Sequence, residues 1–552
     1  MAKKTRKMRA VDLYSGVGGW SLGLRLSGVE VVASYELWGP ANETNFKNNS
    51  HQAQTVDIRR LSLEDLPHDI DMVVGSPPCT QFSYSNRGGG GDLADGLKDI
   101  IRFLTIVDHL KPKMWAMENV PRVAKIINEE LEPGGVLAMF AHLECATHVI
   151  DMAEYGIPQR RRRCIAGNFD IDLLMTFKAN APTLGGVVTA LSASPVVDPI
   201  YGLAIERDEL IDHVEEDFLS AEEVRINRAN KVTHTIYNSM PFPDPMDRTV
   251  RTITATCTRV SRESIVIAAP DQSDVYRRLT LRERACLQGF PITFQFYGAN
   301  YGQKLRMIGN AVPPAFSFLM GQVLQGRSAT DSQLLGEAAR DLKRPKPIPV
   351  ETPPDRVGAR YPATRTFKFA IPSLQLKSGV RFELRNDCSK DIVSWAVAFY
   401  FGTSKAIHSM ILNDEIAMRL RAAASPALEE AVVDYLREIT SFVQEADISN
   451  MQSVWAHQGP GGTRAFMLLD KLDEIGKSLT DIIAMYAEEA AGLIELIVQH
   501  QHGSATATLP GLAKLARNSA TILAGLLVGS TVNPLLLAHA RSGLGRNSRA
   551  SR

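Results

Sequence analysis

Apolar positions in the first 170 residues follow two rhythms that alternate along the chain. Arg9 to Leu13, Val29 to Tyr35, Met72 to Val74, Met114 to Met117 and Arg163 to Ala166 are short β-type runs. Between them, Trp20–Leu26, Ala41–Asn48 and Leu97–His109 have helical spacing. This alternation predicts βαβ units, hence an α/β fold with a doubly wound, mostly parallel sheet. Ligands on such sheets sit at the carboxyl ends of the strands.

From about Pro182 to Ile267 the helical spacing weakens and proline-rich segments appear, such as Met240-Pro241-Phe242-Pro243-Asp244-Pro245. Arg251 to Thr256 then alternates like a strand. This stretch reads as a separate, smaller, mainly β insertion. Helical order returns over 276–327. A proline-rich run from Arg344 to Pro354 predicts a stiff linker. Beyond it, Thr366–Phe401 looks β-rich and 405–540 helical, with amphipathic stretches at Leu428–Glu445 and Ala465–His500. The predicted organisation is a core over 1–181, a β-rich region over 182–275, a return to the core over 276–328, a linker over 329–365 and a further module over 366–552.

Composition adds little to this picture. A chain of 552 residues, 45% hydrophobic and 22% charged, has room for two or three globular domains. Its formal net charge of zero neither suggests nor excludes a nucleic acid partner. The six cysteines form no CxxC pair, so no zinc or redox motif is expected, and their scatter fits a reducing cytoplasm. The basic start runs straight into a strand without the apolar core of a secretory signal. Thr521 to His539 is the most apolar stretch, but polar residues and Pro534 interrupt it, which predicts a buried helix hairpin and no membrane span.

Chemistry concentrates just after the predicted strands. Asp12-Leu13-Tyr14-Ser15-Gly16-Val17-Gly18-Gly19 closes a strand with an acid and opens a helix through a glycine-rich turn, which lets a ligand approach the backbone. Alone, this could equally be a tight turn or another nucleotide site. Glu36 ends the next strand, where a carboxylate can accept from two ribose hydroxyls. Asp57, followed by Ile58, could take an adenine amino group. Together these describe a nucleoside pocket without a phosphate cradle, which suits S-adenosylmethionine better than a dinucleotide. Gly75-Ser76-Pro77-Pro78-Cys79-Thr80-Gln81-Phe82-Ser83 holds a cysteine on a rigid loop behind two prolines.

Here the sequence resembles the DNA (cytosine-5) methyltransferase family of prokaryotic type, over residues about 9–325. The Pro-Pro-Cys loop with its Phe-Ser is that family's hallmark. Met117-Glu118-Asn119-Val120 looks like its glutamate motif, Gln159-Arg160-Arg161-Arg162-Arg163 matches its QxRxR motif, and Arg278 to Pro291 is similar to its late helix motif. Ile308-Gly309-Asn310-Ala311-Val312-Pro313-Pro314 matches its closing motif. The resemblance implies a cofactor site for S-adenosylmethionine at Asp12, Tyr14, Ser15, Gly16, Gly18, Gly19, Glu36, Leu37, Asp57, Ile58, Pro78 and Asn310. Three positions depart from the family. Thr80 follows the cysteine where Gln is usual, Tyr14 replaces a common Phe, and Leu37 stands where an aromatic is frequent, so adenine packing would lean on Tyr14.

The chemistry explains the residue types. C5 of cytosine is a weak nucleophile until a thiolate adds to C6, and Cys79 is the candidate for that step. A thiolate near neutral pH needs cations nearby, which Arg161 and Arg163 could supply. Glu118 would donate to N3 of the base and read its Watson–Crick edge. Gln81, Ser83 and Asn119 would order the loop or touch substrate, and the four glycines at 88–91 suggest a mobile lid. The resemblance places sequence reading in 182–267, where Arg251, Arg259 and Arg262 would contact phosphates or guanines.

Each feature also has a plain reading: a lone cysteine is usually packing, an arginine run a solvated face, and a single glutamate a cap. The ordered set outweighs those readings. The expected partner is double-stranded DNA in the cytoplasm, within a restriction-modification or related defence system. Methylation of tRNA and a catalytically silent DNA-binding protein are the alternatives. Residues 360–552 lie outside the resemblance. They read as a structural or partner-binding module for other proteins of such a system, or as an added DNA contact through the basic tail from Arg541 to Arg552.

Overall fold

The computed structural model describes residues 6–547 except 83–90, 233–238, 270–271, 273, 347–355, 377–378, 390–392, 404–405, 460 and 504–511. The proposed lid glycines 88–90, Ser83, most of the proline-rich linker and the end of the basic tail therefore lie outside the described residues. The chain divides into two units, one of residues 1–231 and 241–357, the other of 232–240 and 358–552.

The first unit is built on a seven-stranded sheet. Its strands are β1 (Arg9–Leu13), β2 (Glu30–Glu36), β3 (Gln54–Thr55), β4 (Met72–Gly75), β5 (Met114–Asn119), β6 (Ala146–Asp151) and β8 (Arg162–Gly167), in the order β3-β2-β1-β4-β5-β8-β6. The strand β7 (Gln159–Arg160) lies outside this sheet. The first five pair in parallel, whereas β8 runs antiparallel to both β5 and β6. Four helices connect the strands: α1 (Gly19–Leu26), α2 (Gly39–Asn49), α3 (Leu93–Leu110) and α4 (Arg122–Leu131). Both faces are covered, which is why β4 and the first four residues of β5 read as apolar runs. The helix α3 shows how locally this is encoded. Asp92 caps it by accepting from Asp95 N, and Lys111 ends it in a left-handed conformation. Its stripe of Leu97, Ile100, Phe103, Leu104 and Val107 is fully buried, and each large side chain so buried contributes about 1.5–3 kcal/mol.

Register aligns the strand ends. Leu13 pairs with Tyr35 on one side and Gly75 on the other, and Gly75 pairs with Met117. Tyr14, Glu36, Ser76 and Glu118 therefore leave the sheet at one edge. Because β8 is antiparallel, it enters at that edge, with Cys164 opposite Asn119.

Residues 182–231 and 241–267 share the first unit with the sheet, where the proline pattern predicted a separate, mainly β insertion. Their strands are two-stranded ladders of two or three residues, and their longest elements are the helices Leu184–Ser192 and Ala221–Lys231. The alternation at 251–256 does not continue as a strand. Val250–Arg251 pairs with β7, which is only two residues long. Ile253 N then donates to Gln159 Oε1, and the backbone at Thr254 and Ala255 presses against Gly309.

In the second unit, Lys368–Gln375, Arg381–Asp387, Ser394–Thr403 and Ala406–Met410 form an antiparallel four-stranded meander packed on helices. The apolar stretch predicted as a hairpin is one helix, Ser519–Asn547, that continues through Pro534. Long and apolar enough to cross a membrane by composition, it is the core helix of this unit, with Leu523, Leu526, Val528, Val532 and Leu536 buried. Asn533 ties it to the sheet by accepting from Val397 N and donating to Val397 O and Leu412 O, and that tether keeps the helix in place across the proline.

Candidate active site

The carboxyl edge of the sheet opens on a cavity of about 760 Å³. One end is walled by Tyr14, Ser15, Gly16, Glu36, Leu37, Trp38, Asp57 and Ile58, and the other by Pro78, Cys79, Thr80, Gln81, Glu118, Arg161 and Arg163. Gly309, Asn310 and Val312, from the returning chain, close a third side.

The Pro-Pro-Cys loop is held from below. Asn119 donates to Pro77 O at 3.1 Å and accepts from Val120 N, so this residue supports the loop and does not line the cavity. Ser76 is fixed by Trp20 Nε1. Gln81 accepts from Asp92 N at 2.9 Å, tying the loop to the start of α3. Half-buried Cys79 sits beside Glu118, Arg161 and Arg163. Burial, and next the Glu118 charge, push its thiol above the ordinary value, while Arg163 and Arg161 pull the other way. The basic surroundings expected from sequence are present, but here burial outweighs them.

Glu118 is buried and pairs with Arg163 Nε at 2.9 Å. Arg161 is buried too. Its Nη2 donates to Gly309 O at 3.2 Å and Ala311 O at 3.1 Å, while Nε and Nη1 have no partner. Burial, then repulsion from Arg163, lowers its pKa to about 9. Leaving two guanidinium donors unsatisfied is costly, so their presence at a cavity wall marks a place for acceptors from a ligand.

At the opposite end, Glu36 accepts from Gly16 N at 3.0 Å and from Trp38 N at 2.8 Å. Two backbone bonds hold the carboxylate in place and leave it lone pairs to receive hydroxyl donors. Asp57 caps a short turn through Arg59 N and also faces the cavity. Ser15 Oγ is buried without a partner. At Gly19 a Cβ would meet Val312 O at 2.2 Å, so only glycine lets the closing motif dock on α1.

Several expectations need correction. Asp12 is fully buried beneath the turn, bonded to Ser21 N and Oγ, and does not reach the cavity. Gly18 packs on Asn45 instead of lining the pocket. Arg251 is bound to Asp244 and to the carbonyls of Glu263 and Ser264. Arg259 is buried against Glu223, and half-buried Arg262 donates to Asn230 O. Their guanidiniums serve internal ties, not an outward face. The sequence reading also missed Trp38. It lines the cavity one residue beyond Leu37, which is 64% exposed, so the aromatic absent at 37 is present at 38. The signal was the Leu37-Trp38 pair itself.

The model of the family described as C-5 cytosine-specific DNA methylase matches residues 8–325. The chain belongs to that family and is a methyltransferase. It is 31% identical over 322 residues to the type II methyltransferase M.HindV of Haemophilus influenzae, covering 55% of this chain and 92% of that one. It is 25% identical over 357 residues to the type II methyltransferase M.FnuDI of Fusobacterium nucleatum, covering 60% of this chain and 98% of that one. For the type II methyltransferase M.HgiDI of Herpetosiphon aurantiacus the identity is 28% over 325 residues, with 58% and 94% covered.

Proposed function

We propose that this chain methylates C5 of a cytosine swung out of duplex DNA, with Cys79 as the nucleophile. The observation that carries this reading is one cavity lined by Cys79, Glu118, Arg161 and Arg163 at one end and by Glu36, Asp57 and Trp38 at the other. The residues of the second end fit S-adenosylmethionine. Glu36 would accept from ribose hydroxyls, Asp57 from the adenine amino group, and Tyr14 and Trp38 offer ring faces. Bound there, the cofactor supplies an electrophilic methyl group on a sulfonium.

In this reading the Cys79 thiolate adds to C6 and forms an S–C6 bond, and the ring electrons move toward N3. Glu118, positioned by Arg163, delivers a proton to N3, so the charge is neutralised as it develops. Arg161 offers its two unpartnered nitrogens, Nε and Nη1, to acceptors on the base. C5 then takes the methyl group. Loss of the C5 proton to solvent restores the double bond and expels Cys79 as the thiolate, and N3 returns its proton to Glu118. The base must leave the helix because a stacked, paired cytosine does not offer its C6 face to a thiolate.

The relatives' type II names support a duplex target read at a recurrent sequence, within a cytoplasmic restriction-modification system. A duplex carrying 5-fluorocytosine cannot lose its C5 substituent and should trap the adduct on wild-type protein, with none on Cys79→Ala. Mapping 5-methylcytosine in a host that lacks it should show one recurrent motif. A trap on tRNA and none on any duplex would overturn the DNA reading.

A further inference from the structure

Arg306 lies on the helix Tyr301–Asn310, one turn before Asn310, and both residues line the cavity. It is exposed, and among the described residues it makes no hydrogen bond or ion pair. Its guanidinium lies over the Trp38 ring at 5.6 Å. Trp38 belongs to the opposite wall, where Glu36 holds its backbone N. The contact therefore joins the two walls of the cavity across its adenosine end.

We propose that Arg306 is a positioning residue that pins Trp38 and so sets how tightly the cofactor is held. The inference rests on the reading of this end as the S-adenosylmethionine site. Its physical basis is a difference between states. A guanidinium over an exposed indole is weakly attracted, because water competes for the cation, and the attraction grows when the ring is desolvated. A nucleoside packed at Trp38 excludes that water, so the contact strengthens on binding and the difference adds to affinity. The same wall is docked elsewhere by contacts that do not involve Arg306. Thr44 bonds Met307 Sδ, Asn48 exchanges two hydrogen bonds with the backbone of Gln295, and Lys47 lies 4.1 Å over the Tyr297 ring. Loss of Arg306 therefore leaves the wall in place and loosens only the ring.

Calorimetric titration of the full chain with S-adenosylhomocysteine, which is not consumed, tests this. Arg306→Ala should weaken binding roughly three- to tenfold. Arg306→Lys should restore part of that loss, and the double variant Arg306→Ala/Trp38→Ala should bind no worse than Trp38→Ala alone. DNA affinity and its salt dependence, measured on the same proteins, should match wild type. Unchanged cofactor affinity in Arg306→Ala overturns the proposal, as does additivity in the double variant. Weaker DNA binding with a shallower salt slope and intact cofactor binding would make Arg306 a phosphate contact instead. If wild-type protein takes up no S-adenosylhomocysteine, the cofactor reading of this end is what fails.

Discussion

Two groups of buried charge lie in the first unit, and they are finished to different degrees. Behind the cavity, Arg282 meets Asp212 with two nitrogens and also donates to the carbonyls of Pro291 and Phe294. Arg259 pairs with Glu223, Arg277 with Glu283, and Glu216 gathers Arg278 and the Tyr301 hydroxyl. In the cavity, Arg161 keeps two donors without partners and Cys79 is held away from ionisation. Each guanidinium named in the first group meets a carboxylate, so that group is closed in charge, whereas the second opens on the cavity. Buried charge is stable only when paired, so an open group belongs where a ligand will complete it. Changes in the open group should cost activity and leave stability, and changes in the closed group should do the reverse.

The largest expected effect is at Cys79. Cys79→Ala should abolish both turnover and the 5-fluorocytosine adduct, while the denaturant midpoint stays close to wild type. A stable adduct on the alanine variant would break the assignment outright. Glu118→Gln should follow with a loss of about 10²–10⁴-fold in kcat, read in steady-state assays with saturating DNA. The closed group is probed by Glu216→Ala, which leaves Arg278 buried without its carboxylate. It should destabilise the chain by about 3–5 kcal/mol in denaturant titration. A Glu216→Ala protein of wild-type stability and lost activity would erase the contrast.

Smaller effects sharpen it. Since burial and Glu118 raise the Cys79 thiol, its reactive fraction should climb about tenfold per pH unit below that pKa. Arg163→Gln removes the stronger opposing cation, so the rise in adduct formation should move to higher pH. The smallest effect concerns Asp12, whose carboxyl is raised to about 7, first by burial, against its bonds to Ser21. The folded state then holds a proton that the unfolded state has lost between about pH 4 and 7. Stability should fall as pH rises through that window. Asp12→Asn should flatten the fall, measured as melting temperature at pH 5 and 7.5.

Contiguous features were legible in the chain. The Pro-Pro-Cys loop, the glycine turn and the acid at Glu36 each lie within a few residues of a strand end, and the local pattern gives strand ends. The Arg251–Thr256 run misled, because alternation predicts a strand only when a partner of equal length exists, and β7 has two residues. The arginines at 251 and 259 misled for a related reason. Whether a guanidinium faces a phosphate or a carboxylate depends on what packs beside it, and Asp244 and Glu223 took both.

The sequence by itself determined the α/β class and the family and supplied the side chains proposed to react, because periodicity and short motifs encode local conformation and chemistry directly. Only the tertiary structure decided how those side chains meet. The antiparallel entry of β8 brings Arg161 and Arg163 to the edge where the parallel strands end. Arg161 then reaches Gly309 O, 148 residues further along the chain. The start of α2 places Trp38 in the cavity wall beside Leu37. Such encounters depend on sheet order and helix docking, which are settled by the burial of the whole core and leave no mark in any short stretch of sequence.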